Sequence, residues 1–199
     1  MAYRDSDDEG RGRKVRRLAP GEVELAALDY LRRFSVPAAR LRRHLRDKAA
    51  RSAAAHGDDL DALQTEIDSV VASLVGRRLV DDDSHAEARV AALRDRGVAP
   101  SLIRQRIIAE GVSAERVDAA VDRHLGDLRL TQASAALQTA VNAARRRRLG
   151  PFRAADERAE RRDKDLVSLV RAGHRFAVAR QVIDAVDGHA LLLEVGLVR

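Results

Sequence analysis

Four consecutive arginines, Arg145 to Arg148, are the densest concentration of one chemistry in the chain. A guanidinium is permanently charged and presents forked N–H donors that match phosphate or carboxylate oxygens. Consecutive residues point all round a helix, so the four repel one another unless counter-charges or phosphates lie close by. Two readings fit the quartet: contact with the phosphates of a polyanion, or a solvated charge run. Arg42, Arg43 and Arg46 lie opposite Leu41 and Leu45 on a segment of helical spacing, which makes that helix cationic outward. The chain as a whole carries 37 Lys and Arg against 31 Asp and Glu, a formal net charge of +6, and this balance biases its partners toward nucleic acid.

Other chemistries find no apparatus. Asp81, Asp82 and Asp83 form one acidic run before a helix, with too few converging ligands for a metal site, and capping of the helix start explains them better. The six histidines are scattered without HExxH spacing, and there is no cysteine to supply a thiolate ligand or a disulfide. No GxxxxGK[ST] loop, strand-led GxGxxG or GxSxG elbow is present, so nucleotide hydrolysis and acyl transfer have no visible machinery. The expectation is a non-enzymatic protein with no cofactor, no metal and no small-molecule substrate. Aromatic residues make up 3% of the chain, and most fall in apolar patterns, so contact with DNA is expected mainly at phosphates. The N-terminal charges are followed by no apolar stretch, which argues against a secretory leader or membrane anchor and for a cytoplasmic address.

The elements that must position these side chains are helices. Leu25, Leu28, Leu31 and Phe34 predict a first helix from Glu22. Ser35-Val36-Pro37 predicts the cap of a second, which fades after Lys48 into a small-residue connection over 51–57. Asp58 and Asp59 then open a long helix with a stripe of Leu60, Leu63, Ile67, Val70, Val71 and Leu74. A second set follows. Ser84 and Glu87 have the spacing of a capping box, Gly97 suits a helix stop, Pro100 opens the next helix, and Gly111 ends it before the Val112 and Val117 staple. After a helix carrying Leu137 and Val141, Gly150-Pro151 breaks the chain, and Arg153 to Lys164 predicts an exposed helix.

These segments repeat. Val36 to Leu45 aligns without gaps on Val98 to Ile107, and a looser third copy runs from Gly173 to Ile183 with Gly173 over Gly97. The prediction is an all-α fold of about nine helices in three tandem three-helix repeats, an elongated curved array. Residues 1–20 form a flexible charged tail, residues 21–80, 81–128 and 129–188 the three repeats, the last with a basic linker helix, and residues 189–199 a C-terminal tail that docks on the protein. The alignment also makes Leu41, Ile103 and Ala179 equivalent, so that Arg42, Arg104 and Arg180 recur one residue on, at the flank of the buried stripe. Either they form a periodic basic rail, or each pairs with a carboxylate of a neighbouring helix.

The junction Leu79-Val80-Asp81-Asp82 followed by Ala86-Glu87, then Gly97, Ile103-Arg104 and Gly111-Val112, resembles the RecX regulatory family. Asp165-Leu166 through Gly173 and Val182-Ile183 is similar to that family's last repeat, and the likeness spans most of residues 22 to 187. His85 stands where the family has an aromatic, and Ala179 where a larger aliphatic is common. The resemblance implies a cytoplasmic regulator that lies in the groove of the RecA filament, blocks its growth and damps its ATPase, strand-exchange and co-protease activities, and so acts on DNA repair, recombination and the SOS response. It also implies binding to single- and double-stranded DNA, and no catalytic residues. The alternative is a general helical nucleic-acid-binding protein that acts without RecA.

Overall fold

The computed structural model describes residues 15–126 and 132–197. The expected tail over 1–14 lies outside them. Ten α-helices and two short 3-10 turns occur among the described residues, with no strand. Backbone contacts divide the chain into two compact units, Met1–Phe34 with Leu41–Arg77, and Ser35–Arg40 with Arg78–Arg199.

The first unit holds α1 (Val23–Leu31), all but the first turn of α2 (Ala38–His56), and α3 (Leu60–Gly76). Leu63, Ile67, Val71 and Leu74 of α3 and Leu41 and Leu45 of α2 are all fully buried, at the 3.6-residue spacing that one helix face requires. Asp59 caps α3 by accepting from the amides of Asp61 and Ala62. Three expectations need correction here. The inward face of α1 is Val23 and Ala27, while Leu25, Leu28 and Phe34 are exposed, because a short helix can turn its small residues inward where space is limited. Helix α2 does not fade after Lys48 but runs to His56, since Ala49 and Ser52 bury against the unit and alanine favours helix. Residues 15–20 are anchored to the unit: Leu18 is buried, its amide donates to Ser52 Oγ at 2.8 Å, and Arg17 pairs with Asp58.

The second unit holds α4 (Asp82–Asp95), α5 (Pro100–Glu110), α6 (Ala114–Gly126), α7 (Gln132–Arg147), α8 (Arg158–Arg171), α9 (Phe176–Ile183) and α10 (Gly188–Glu194). Helices α4 to α6 enclose Ala86, Val90, Leu93, Ile103, Ile107, Val117 and Val121. Helix α7 is the centre of the other cluster rather than a linker: Ala140, Val141, Ala143 and Ala144 are buried against Leu166, Leu169, Ala179, Val182 and Leu191. Its alanines let neighbouring backbones approach closely. Residues 189–194 belong to α10, so the expected boundary at 189 cuts a helix; Leu191 and Val195 dock this segment into the core.

The three aligned segments correspond at several positions. Helices α2, α5 and α9 begin at Ala38, Pro100 and Phe176, the positions that the alignment makes equivalent. Two residues earlier Val36, Val98 and His174 are buried, and further along Leu41, Ile103 and Ala179 are all inaccessible to solvent. The turns match too. At Gly97 the Val98 amide bonds Leu93 O and the Gly97 amide bonds Arg94 O; at Gly173 the His174 amide bonds Leu169 O and the Gly173 amide bonds Val170 O. This is the paired hydrogen bonding of a helix end that requires a left-handed residue, and Gly97 (φ +70) and Gly173 (φ +91) supply it.

Helix caps differ from the expected ones. Helix α4 starts at Asp82, with Asp81 Oδ1 accepting from Asp83 N and Ser84 N at 3.0 Å, so Ser84 lies inside the helix. These bonds hold the Asp81 carboxyl below its ordinary pKa. The cap of α2 comes from Asp82, whose Oδ1 accepts the Ala38 amide at 2.9 Å, and not from Ser35. Asp83 pairs with Arg116. The expected capping of this helix start thus falls to Asp81 alone, while Asp82 caps α2 and Asp83 holds an arginine.

His174 fills the slot that valine fills in the other two repeats. Its Nε2 donates to Gly97 O at 2.9 Å, and its Nδ1 has no partner among the described residues. Burial lowers its pKa, the Gly97 carbonyl opposes that, and the charge of Arg147 lowers it further. A histidine whose folded pKa is depressed stabilises the fold fully above its unfolded value of about 6.5, and that contribution is lost as pH falls through this value toward the folded one. His174→Gln, which can keep the donor to Gly97 O, should therefore flatten the fall in urea midpoint between pH 7 and pH 5. An unaltered pH profile would show that His174 does not carry the effect.

Candidate nucleic-acid interface

Helix ends bring cations from four elements of the second unit to one place. Arg96 follows the last turn of α4, Arg106 lies on α5, Arg147 ends α7, and Lys164 and Arg171 lie on α8. Together with Val98, Val167, Ser168 and Ala172 they line a cleft of about 470 Å³. No carboxylate lines it. Arg147 is held in place by Nη1 donating to Ser168 O at 3.3 Å and Ser168 Oγ at 3.2 Å, which also sets a cation on the carbonyl end of α8, where the helix dipole favours it. The ion pairs of this unit lie elsewhere, as at Arg104–Asp118, Arg153–Asp165 and Arg162–Asp184. Among the described residues none of the five cleft cations has an acidic partner.

Five positive charges around one concavity repel each other and are held there by the fold. The field they share attracts a multiply charged anion, and the shape admits an extended one. Only Arg147 of this set was a candidate by sequence. Arg96, Arg106 and Arg171 belong to no cationic run, and Lys164 closes the charged segment from Arg153 that reads only as an exposed helix.

The other candidates separate into two groups. Arg42 Nε and Arg46 Nη2 both bond Asp68, at 2.8 and 2.9 Å, so α2 is stapled to α3 and much of its outward charge is compensated; Arg43 is exposed, with no ion pair among the described residues. Arg104 bonds Asp118 at 2.8 Å, and Arg180 reaches Asp184 at 3.4 Å. Each arginine of the periodic rail thus has a carboxylate partner. The quartet divides: Arg147 enters the cleft, while Arg145 and Arg146 line a second cavity of about 370 Å³ with Arg94, Gln138 and Asn142. Arg146 donates to Asp95 O at 3.1 Å, on the carbonyl end of α4. Arg148 lies past the helix with φ +54, in the left-handed position that Gly97, Gly111 and Gly173 take after α4, α5 and α8. Arg146 and Arg147 thus each rest on a helix carbonyl, and Asp95 lines the second cavity beside Arg145 and Arg146.

Two aromatics depart from their apolar patterns. Phe34 is half-exposed but packs at 5.0 Å from Tyr30, which itself stacks on His44 at 3.9 Å. Phe176 is 60% exposed. The described residues contain no group of three or more histidines and carboxylates placed to hold a metal, and no helix long and apolar enough to cross a membrane.

No protein-family model matches the chain. Among curated proteins it is similar to the regulatory protein RecX of Myxococcus xanthus (strain DK1622), 33% identical over 182 residues, which are 91% of this chain and 94% of that protein. Among solved structures the crystal structure of RecX from Lactobacillus salivarius has a similar fold, with a TM-score of 0.53 over 89% of this chain and 97% of that one at 17% identity. At that identity the structural likeness supports the helical architecture alone, whereas the sequence relationship extends over nearly both full lengths. The chain belongs to the RecX family of regulatory proteins.

Proposed function

We propose that the protein binds the RecA filament on DNA and restrains it, with the five-cation cleft of the second unit lying against nucleic-acid phosphates. The observation that carries this reading is the cleft itself: Arg96, Arg106, Arg147, Lys164 and Arg171 converge without a carboxylate among the lining residues. Phosphate contacts of this kind give affinity without sequence preference, which suits a regulator that must act wherever a filament has formed. Arg145, Arg146 and Arg148, adjoining Arg147, and the exposed Arg43 add to the basic surface. Arg42, Arg46, Arg104 and Arg180, each bonded to an aspartate, serve first as staples between or along helices.

The test is the single-stranded-DNA-dependent ATPase of RecA from the same organism, with this protein titrated in at several salt concentrations. Inhibition at well below one molecule per RecA protomer is expected, because a bound regulator that stops filament growth silences every protomer that would have followed. Inhibition that begins only when the protein is abundant enough to coat the DNA, and that fades steeply with salt, would favour the second reading, a helical nucleic-acid-binding protein that needs no recombinase.

A further inference from the structure

Phe176 opens α9 and is 60% exposed, while the core face of that helix is formed by Ala179, Val182 and Ile183. It lines a shallow depression with Ala177, Arg180, Gln181 and Asp184. Asp184 is engaged by two arginines, Arg162 at 2.7 Å and Arg180 at 3.4 Å, so the depression is not acidic in balance, and the exposed Arg175 precedes the ring. An apolar ring left in water gains nothing for the fold. Beside guanidinium and amide donors it offers a flat surface with hydrogen-bonding groups at its edge.

From these observations we infer that Phe176 is a stacking platform for an unpaired nucleobase of a single strand. The inference rests on the phosphate reading of the basic cleft. Ala172 lines that cleft and Phe176 is four residues further on, so their Cα atoms are at most about 15 Å apart. A strand whose phosphates lie in the cleft can therefore lay a neighbouring base on the ring, with the exposed Gln181 available to its polar edge. In a duplex the bases are stacked on one another and their faces are closed to the ring. Single strands are thus favoured over duplexes by a contact that does not depend on charge.

The chain contains no tryptophan, so Phe176→Trp introduces a lone indole reporter. Titrated with oligothymidylate, its emission should be quenched, and an equal phosphate concentration of duplex should leave it unchanged. Phe176→Ala and Phe176→Leu should both weaken binding of the labelled single strand, measured by anisotropy, by about tenfold, within the range for loss of one base stack, and leave duplex affinity within a factor of about two. Leucine binding as tightly as phenylalanine would overturn the proposal, since an apolar contact would then suffice. So would unchanged indole emission when anisotropy shows the single strand bound. If the unaltered protein binds neither strand nor duplex, the phosphate reading of the cleft falls, and the stacking platform with it.

Discussion

Gly97→Ala should lower the stability of the second unit by about 3 kcal/mol, against a net folding stability on the order of 5–15 kcal/mol for a typical domain. Two costs add. A non-glycine residue at φ +70 pays about 1–2 kcal/mol for the left-handed backbone. The new methyl would lie 2.5 Å from the backbone N and Cα of Ala143, buried atoms in the C-terminal half of α7 that cannot move without disturbing its packing, and overpacking of this kind costs about 1–3 kcal/mol. With a urea slope of roughly 2 kcal/mol per molar, the midpoint should fall by about 1.5 M. Gly57→Ala is the control, because Gly57 has φ +74 and nothing within 4 Å of the added carbon. It should pay the backbone cost alone. Equal losses in the two variants would mean that the close approach of the α4–α5 turn to α7 contributes nothing.

The second large effect is on binding. Arg96, Arg106, Lys164 and Arg171 are exposed, so replacing all four with alanine should leave the melting behaviour close to that of the parent protein. Removing one phosphate contact lowers the slope of log affinity against log salt by about 0.7 for a single strand, so the slope should shrink by about 3 and the affinity near 0.1 M salt by about two to three orders of magnitude. Arg42→Ala, Arg104→Ala and Arg180→Ala combined remove three charges that already have aspartate partners, and the slope should change by less than about 1. The comparison separates two surfaces of similar arginine count. If the rail variant lost the salt dependence and the cleft variant kept it, the phosphate-binding surface would have to be reassigned to Arg42, Arg104 and Arg180.

What could be seen in the chain before folding was whatever depends on near neighbours. The starts of α2, α5 and α9 at aligned positions, the buried Leu41 and Ile103, and the helix-stop glycines all follow from local spacing and backbone preference. The inward face of α1 did not. Leu25 and Leu28 are larger than Val23 and Ala27, and hydrophobicity alone ranks them as core; the space available under the helix, which decides the matter, is a property of α2 and α3. The role of α7 was hidden for a related reason, since an alanine-rich helix has a weak apolar stripe yet permits the closest packing of all. The binding cleft was least legible. Its five cations come from four helices or their ends and are up to 75 residues apart by number, from Arg96 to Arg171, and none belongs to a run except Arg147. Nor could spacing tell that Asp68 would meet both Arg42 and Arg46, which turned two outward charges into a staple. Charge is visible in a sequence, but whether it is compensated is a tertiary fact.

The cap that Asp82 places on α2 has a consequence for the order in which the protein is made. Its carboxylate accepts the Ala38 amide across 44 residues, so the start of α2 has no such partner while the ribosome is still translating the intervening chain. At a typical elongation rate of about 5–20 residues per second this interval lasts several seconds, far longer than the microseconds in which a helix forms and frays. Throughout it, the first turn of α2 can melt and re-form freely. Emergence of Asp82 ends that interval, and the growing chain thereby acquires a latch on the start of α2 that the preceding residues cannot supply.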